Sequence, residues 1–251
     1  MQASYAVIPA AGAGKRIAPY SQLVPKPMIQ VLGRPILAYV LDRCKRAGLT
    51  KVIIIVNPAS TAVKDYFGDG SRLGISIEYV AQPKPEGIGQ AVGLTEGIVK
   101  PPFAVYLGDE IYIGSDHPGF IKSFDSKRSA AAIGLMWVED ESLIRGNYSV
   151  DIDLKSKVIR NLVEKPAVVT NKILGCGSYI FNESVFEAIR ETPKSTKGEV
   201  EITDTLNTMT RMGLVIRGYF LGGTYLNVTY PQDIARAEAM IQADEAASHF
   251  K

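Results

Sequence analysis

A glycine-rich, basic loop follows a short apolar run near the start of the chain. The segment AAGAGKRIAPYSQLVPKP, residues 10–27, holds two glycines, two lysines, one arginine and three prolines. Glycine lets backbone N–H groups approach phosphate oxygens closely, and Arg16 adds a fork of charged donors. Lys26 lies between Pro25 and Pro27, which stiffen the backbone and restrict where the ammonium group points. The loop therefore predicts a local phosphate-binding site.

Two common phosphate-binding motifs are excluded by their spacing. A Walker loop needs a glycine where Pro9 stands and a hydroxyl residue where Arg16 stands. The dinucleotide fingerprint G-x-G-x-x-G begins with Gly12 and Gly14, but Ile17 occupies its third glycine position. Because Gly-rich basic turns also occur as ordinary solvated loops, the prediction needs support from other residues.

Polar residues beside apolar strands are the next candidates for binding a ligand. Asp109 follows the apolar run FAVYLG, and ligands of α/β sheets bind at the carboxyl ends of strands, although an aspartate there also suits a turn or a helix cap. The amide of Gln82 carries a donor and an acceptor, which suits uracil or thymine, although a glutamine before a helix is often structural. The two histidines, His117 and His249, lack the spacing of metal ligands or of a catalytic triad and are expected on the surface.

The elements that position these residues alternate along the first half of the chain. Apolar runs predict strands at 5–10, 51–57, 75–81 and 102–109, and helical patterns occupy 34–48 and 86–99. This alternation implies parallel pairing with crossovers, and strands so uniformly apolar are covered on both faces. We therefore expect an α/β fold with a Rossmann-like, doubly wound, mostly parallel sheet.

The second half of the chain is richer in β-structure. Strands are predicted at 147–153, 157–166 and 172–182, followed by two helices, two further strands and a closing helix that begins near Pro231. No linker, repeat or low-complexity segment divides the chain. We expect one domain over residues 1–251.

Composition narrows the classes of partner and compartment. Of 251 residues, 46% are hydrophobic and 22% are charged, and the net charge of +2 favours neither nucleic acid nor a membrane surface as a partner. The run at 52–56 is too short to span a bilayer, and the first residues do not resemble a signal peptide. Cys44 and Cys176 lack zinc or redox spacing, so a reducing cytoplasm is expected.

The loop and its continuation resemble a known enzyme family. The string AAGAGKRIAPYSQLVPKPMIQVLGRPILAYVLDRCKRAG resembles the N-terminal signature of the sugar-1-phosphate nucleotidylyltransferases, which include the glucose-1-phosphate thymidylyl- and uridylyltransferases. Family landmarks continue in order to about residue 240, with Lys15 standing where threonine or serine is usual. The resemblance implies a nucleotide-binding half over 1–115 and a sugar-binding half with the closing helix over 116–251.

The resemblance also implies roles for individual residues. It implies that Arg16 and Lys26 are catalytic. It also implies that the nucleotide is bound by Ala11, Gly12, Gly14, Lys15, Gln82 and Gly87. The residues implied to bind the sugar phosphate are Ser149, Glu164, Lys165 and Gly177. The residues implied to bind a Mg²⁺ ion are Asp109 and Asn227. No role is assigned to Glu110.

Two of these positions depart from the usual family pattern. Ser149 stands where glycine is common, so its side chain is expected to crowd the sugar pocket. Asn227 stands where aspartate is common, but a neutral amide oxygen is still a suitable ligand for Mg²⁺. In the family segment GEVEITDTL, Thr203 and Asp204 are expected to cap a helix.

The resemblance implies Mg²⁺-dependent transfer of a nucleotidyl group from UTP or dTTP to a hexose-1-phosphate, with glucose-1-phosphate favoured and pyrophosphate released. Three alternatives stay open: an N-acetylglucosamine-1-phosphate uridylyltransferase, a cytidylyltransferase, and a non-catalytic homologue that senses nucleotide or sugar. The partners implied are a nucleoside triphosphate and a sugar-1-phosphate, and family members commonly assemble as dimers or tetramers.

Overall fold

A nine-stranded mixed sheet organises the chain, and two small two-stranded sheets lie beside it. The computed structural model describes residues 3–12, 17 and 24–248. The strands are β1 (Tyr5–Pro9), β2 (Gln30–Val31), β3 (Arg34–Pro35), β4 (Lys51–Val56), β5 (Ser76–Ala81), β6 (Phe103–Tyr106), β7 (Glu110–Ile113), β8 (Ala131–Trp137), β9 (Tyr148–Ile152), β10 (Ile159–Glu164), β11 (Ile173–Phe181), β12 (Ile216–Phe220) and β13 (Thr224–Asn227).

Eight α-helices accompany these strands in the described part of the chain. They are α1 (Ile36–Arg46), α2 (Ala62–Phe67), α3 (Ile88–Gly93), α4 (His117–Ser123), α5 (Glu141–Gly146), α6 (Ser184–Glu191), α7 (Ile202–Arg211) and α8 (Pro231–Ser248). Short 3₁₀ turns occupy Lys26–Met28 and Ser71–Leu73. Among the described residues, no helix has the length and apolar character needed to cross a bilayer.

The first half of the chain forms the parallel part of the sheet, in the order β6-β1-β4-β5. Successive residues of β1 face opposite sides, as the pleat requires. Ile8 belongs to a core cluster with Leu37 and Leu41 of α1, whereas Val7 belongs to a second cluster with Val92 of α3. Burial on both faces explains why these strands are apolar throughout, and the predicted α/β fold class is confirmed.

The long strand β11 joins the two halves within one sheet. It is buried along its whole length and pairs antiparallel with β6, β8 and β9. Strand β10 extends the sheet beyond β9, and β12 pairs parallel with β8. The β-rich second half is therefore continuous with the parallel first half.

A small antiparallel ladder lies beside the main sheet. Strand β7, which leaves the β6 end of the parallel sheet, pairs with β13 so that Glu110 faces Asn227 across the two strands. Ile111 and Leu226 of this ladder share a third apolar cluster with Ala237 of the closing helix α8. The closing helix therefore packs on the ladder that carries these polar residues.

Two expectations from the sequence are wrong. His117 is 2% exposed, at the start of α4, and its ring meets Tyr106 and Tyr112 edge to face with centroids 5.2 and 4.8 Å apart. Thr203 and Asp204 do not cap α7: the residue before that helix is Glu201, which makes no capping hydrogen bond through its side chain. His249 lies outside the described residues.

Candidate functional site

Two adjoining cavities open at the carboxyl ends of β1, β5 and β6. The larger has a volume of about 450 Å³ and the smaller about 150 Å³. Their common wall contains four charged residues singled out in the sequence, which are Lys26, Asp109, Glu164 and Lys165. Since a cavity of several hundred Å³ is the usual size for a small-molecule site, the pair of cavities offers room for two joined ligands.

The larger cavity collects the residues assigned to the nucleotide. Ala11 and Gly12 line it where the chain leaves β1, and Gln82 and Gly87 line it where the chain leaves β5. Three other assigned residues lie outside the described part of the chain, namely Gly14, Lys15 and Arg16.

The side-chain amide of Gln82 has a fixed neighbour. Gln82 is 4% exposed, and its Nε2 donates to Oε1 of Gln90 at 2.6 Å. A second, longer contact of 3.4 Å runs from the same nitrogen to the carbonyl of Gly87. The hydrogen bond to Gln90 therefore fixes how the side-chain amide of Gln82 is turned in the cavity wall.

Gly87 is required by the packing of the opposite half of the chain. Its φ is +102°, and a Cβ atom there would lie 2.4 Å from the carbonyl oxygen of Val200. The backbone of Val200 also donates to the carbonyl of Glu86 and accepts from the amide of Gly89, both at 2.8 Å. Any larger residue at position 87 would separate these two segments.

Lys26 and Asp109 form an ion pair at the junction of the cavities. Lys26 begins the short 3₁₀ turn that follows Pro25, and Pro27 and Met28 of that turn are buried. Asp109 follows β6 in the turn that leads to β7. The two side chains are only 16% and 25% exposed, so the pair lies partly out of water, where charges interact more strongly.

The smaller cavity collects most of the residues assigned to the sugar phosphate. Glu164 and Lys165 form an ion pair at 2.8 Å, and Gly177 lines the same cavity. Oε2 of Glu164 also accepts from the hydroxyl of Thr203 at 3.2 Å. The backbone amide of Lys165 donates to the carbonyl of Asn147 at 2.7 Å. Glu164 is therefore held by α7 and Lys165 by the turn after α5.

Ser149 lies in neither cavity. It is buried on β9, paired with Val163 and Leu174 in the ladders on either side. The neighbouring Asn147 and Tyr148 line the smaller cavity instead. The side chain of Ser149 therefore does not crowd the cavity assigned to the sugar phosphate, contrary to the expectation from the family resemblance.

Asp109 and Asn227 provide the oxygen ligands that suit Mg²⁺. The backbone amide of Val228 donates to the carbonyl of Asp109 at 3.0 Å, which holds the two positions side by side. The Nδ2 of Asn227 donates to Oδ1 of Asn147 at 3.2 Å, and its Oδ1 accepts from the hydroxyl of Thr229 at 2.9 Å, which leaves that oxygen a second lone pair for a ligand. The described residues contain no group of three His, Cys, Asp or Glu placed to hold a metal. Mg²⁺ typically binds one or two protein oxygens together with substrate phosphates, so this donor set fits it.

Glu110 is a buried carboxylate that sequence reasoning left without a role. It is 1% exposed and accepts from the hydroxyls of Tyr112 and Tyr225 at 2.7 and 2.8 Å. Both its oxygens also lie within 3.1 Å of the amide of Gly177. Burial, and to a smaller degree the charge of Asp109, raise the pKa of Glu110 to about 7.

Asn147 and Glu201 line the cavity walls but were not singled out in the sequence, and neither was Tyr225, whose hydroxyl donates to the cavity residue Glu110. Glu201 lines both cavities, and burial together with the charge of Glu164 raises its pKa. It belongs to the segment GEVEITDTL, so that motif was a signal that could have found it. Asn147 begins the predicted strand over 147–153 and Tyr225 stands two residues before Asn227, so both lie beside residues that the sequence singled out, but only the fold shows their contacts.

Comparisons with known proteins identify the family of the chain. The nucleotidyl transferase family model matches residues 5–247. The low-salt glycan biosynthesis nucleotidyltransferase Agl11 of Haloferax volcanii is 30% identical over 96% of this chain and 66% of its own length. From the same organism, UTP–glucose-1-phosphate uridylyltransferase AglF is 28% identical over 95% of this chain and 97% of its own.

A thymidylyltransferase and a solved structure extend this similarity. The glucose-1-phosphate thymidylyltransferase of Streptomyces antibioticus is 32% identical over 86% of this chain, which spans 61% of that enzyme. A crystal structure from Bacillus anthracis, assigned as a glucose-1-phosphate thymidylyltransferase, superposes with a TM-score of 0.83 at 27% identity, covering 94% of each chain. The chain belongs to the nucleotidyl transferase family, and its resemblance to the sugar-1-phosphate nucleotidylyltransferases is confirmed.

Proposed function

We propose that the protein transfers a nucleotidyl group from UTP or dTTP to a hexose-1-phosphate, with glucose-1-phosphate favoured, and releases pyrophosphate. The observation that carries this proposal is the Lys26–Asp109 ion pair in the wall shared by the two cavities. A cation and a potential metal ligand at this junction suit a reaction that joins two phosphates, one from each side.

The proposed step is a single displacement. An oxygen of the sugar-1-phosphate attacks the α-phosphorus of the triphosphate while the bond from that phosphorus to the β-phosphate oxygen breaks. Pyrophosphate departs with the bonding electrons, and a phosphoanhydride links nucleotide and sugar. Because the attacking oxygen is already an anion, no general base is needed, and the protein supplies positioning and charge stabilisation.

Individual residues take separate parts in this proposal. Lys26 offsets the repulsion between the two anionic substrates. Lys165 pairs with the phosphate of the sugar-1-phosphate, and Glu164, steadied by Thr203, accepts hydrogen bonds from sugar hydroxyls. The role of Arg16 on the leaving phosphates rests on the family resemblance alone.

Asp109 and Asn227 would hold a Mg²⁺ ion. When bound, such an ion neutralises phosphate charge and orients the α-phosphate for attack. In the structure Asp109 pairs with Lys26, so the same carboxylate would serve both the ammonium group and the ion.

The test is pyrophosphate release with Mg²⁺, crossing UTP, dTTP, CTP, ATP and GTP against glucose-1-phosphate and N-acetylglucosamine-1-phosphate. Turnover with UTP or dTTP and glucose-1-phosphate is the expected result. Preference for N-acetylglucosamine-1-phosphate or for CTP would overturn the substrate assignment. A folded protein that binds nucleotide but releases no pyrophosphate with any pair would favour a sensing role instead.

A further inference from the structure

A chain of hydrogen bonds runs along the wall of the smaller cavity and begins at the carboxylate of Glu110. One oxygen, Oε1, accepts from the hydroxyl of Tyr225 at 2.8 Å, and the other, Oε2, accepts from the hydroxyl of Tyr112 at 2.7 Å. The amide of Gly177 donates to the same carboxylate at 3.0 Å. Glu110 thus joins strands β7, β13 and β11, which come from two different sheets.

The chain continues from Tyr225 to a proposed metal ligand. The hydroxyl of Tyr225 also lies 3.2 Å from Oδ1 of Asn147, and this oxygen accepts from Nδ2 of Asn227 at 3.2 Å. On its other side, Oδ1 of Asn227 accepts from the hydroxyl of Thr229 at 2.9 Å. The amide of Asn227 is therefore held at both ends. Tyr112 touches the same carboxylate but has no link to Asn147.

We propose that Glu110, Tyr225 and Asn147 are positioning residues that orient the side-chain oxygen of Asn227 toward a divalent cation and couple it to the sugar pocket at Gly177. This inference rests on the proposed function, because it assigns Asn227 to the metal of that reaction. Partners behind a metal ligand fix its orientation, and losing one typically weakens metal binding by about tenfold to a hundredfold.

Burial of this network restricts the orientation of the Asn227 amide. Glu110 and Tyr225 are 1% and 5% exposed, so water does not readily take the place of a hydroxyl removed between them. An apolar side chain at position 110 would leave these buried donors unsatisfied, which is costly. The network therefore defines one arrangement of the Asn227 amide rather than several.

The matched variants are Tyr225→Phe and Tyr112→Phe, each of which removes one buried hydroxyl from the same carboxylate. Mn²⁺ is titrated into the ¹⁵N-labelled protein, and paramagnetic broadening of the amide signals of Asp109 and Asn227 reports binding without any turnover. We expect Tyr225→Phe to raise the Mn²⁺ concentration at half-broadening about tenfold, and Tyr112→Phe to change it less than twofold.

Equal effects of the two variants, or no effect of either, would overturn the inference, as would absence of broadening in the wild-type protein. Should Tyr225→Phe fail to fold, Asn147→Ala replaces it, because Asn147 is only half-buried and its oxygen is the next link. The expected Mn²⁺ pattern without pyrophosphate release would reject the proposed function alone. Pyrophosphate release by the wild-type protein, together with equal effects of the two variants on Mn²⁺ binding, would reject this inference alone.

Discussion

Lys26 and Asp109 lie 83 residues apart in the chain, yet they form an ion pair at the meeting point of two cavities. One lies in the proline-flanked turn Lys26–Met28 and the other in the turn that follows strand β6. The pair is mostly shielded from water and lies where the proposed function brings two phosphates together, which makes it the most informative target for mutation.

Replacing Lys26 by methionine should lower kcat on the order of a hundredfold or more, because one preorganised charge would be lost from the transition state. The thermal midpoint should change little, since Asp109 keeps some access to water. Lys172→Met is the matched control: Lys172 also pairs with a carboxylate, Glu139, but on the exposed surface. Steady-state rates of pyrophosphate release measure both variants, and similar losses in the two would contradict the assignment.

Gly87→Ala should destabilise the protein more than Gly97→Ala. Both glycines have positive φ, so each substitution carries backbone strain on the order of 1–3 kcal/mol. Only at Gly87 does the new Cβ meet another atom, 2.4 Å from the carbonyl of Val200, whereas nothing lies within 4 Å at Gly97. Urea denaturation followed by circular dichroism gives the difference in unfolding free energy. Equal losses would mean that the Val200 segment moves aside freely.

His117 should make the protein less stable as the pH falls below 6.5. Burial, aided by the charges of Arg43 and Arg46, lowers its pKa from 6.5 to about 2. Between these values the unfolded chain binds a proton that the folded protein does not, so stability is full above pH 6.5 and is lost toward pH 2. From pH 7 to pH 5 this single group should cost about 2 kcal/mol.

The His117→Phe variant isolates that contribution. Both ring nitrogens of His117 lack hydrogen-bond partners among the described residues, and the ring packs edge to face on two tyrosines, so phenylalanine keeps the contacts and removes the titration. Unfolding free energies at pH 7 and pH 5 should differ by about 2 kcal/mol less in the variant. Parallel pH profiles would show that the imidazole is protonated equally in both states.

Thr203→Val should raise the KM for the sugar-1-phosphate about fivefold, the equivalent of one hydrogen bond of about 1 kcal/mol. The hydroxyl of Thr203 holds the Glu164 carboxylate at 3.2 Å, and no other part of the proposed mechanism uses it. Thr205→Val is the control, since this buried hydroxyl on the same helix bonds to the helix's own backbone at Glu201. A rise in both KM values, or in neither, would remove Thr203 from the sugar site.

Much of the parallel sheet could be predicted from the sequence because its strands are apolar on both faces and are separated by helical patterns. Strand β8 and helices α2, α4 and α5 were not predicted. The predicted helix over 86–99 is regular only at Ile88–Gly93 and continues as turns. Gly87 precedes this helix and Gly89 and Gly93 lie within it, and glycine is a poor helix former.

The residue types by themselves determined the alternation of strands and helices and the family landmarks, and they predict a phosphate-binding first loop, because each of these inferences depends on neighbours a few positions apart. Only the tertiary structure decided that Ser149 lies outside the cavities, that His117 is buried, and that Tyr225 meets Glu110 across 115 residues. Those facts depend on how two sheets approach each other, and no local pattern encodes a contact whose partners are brought together only by the packing of the whole chain.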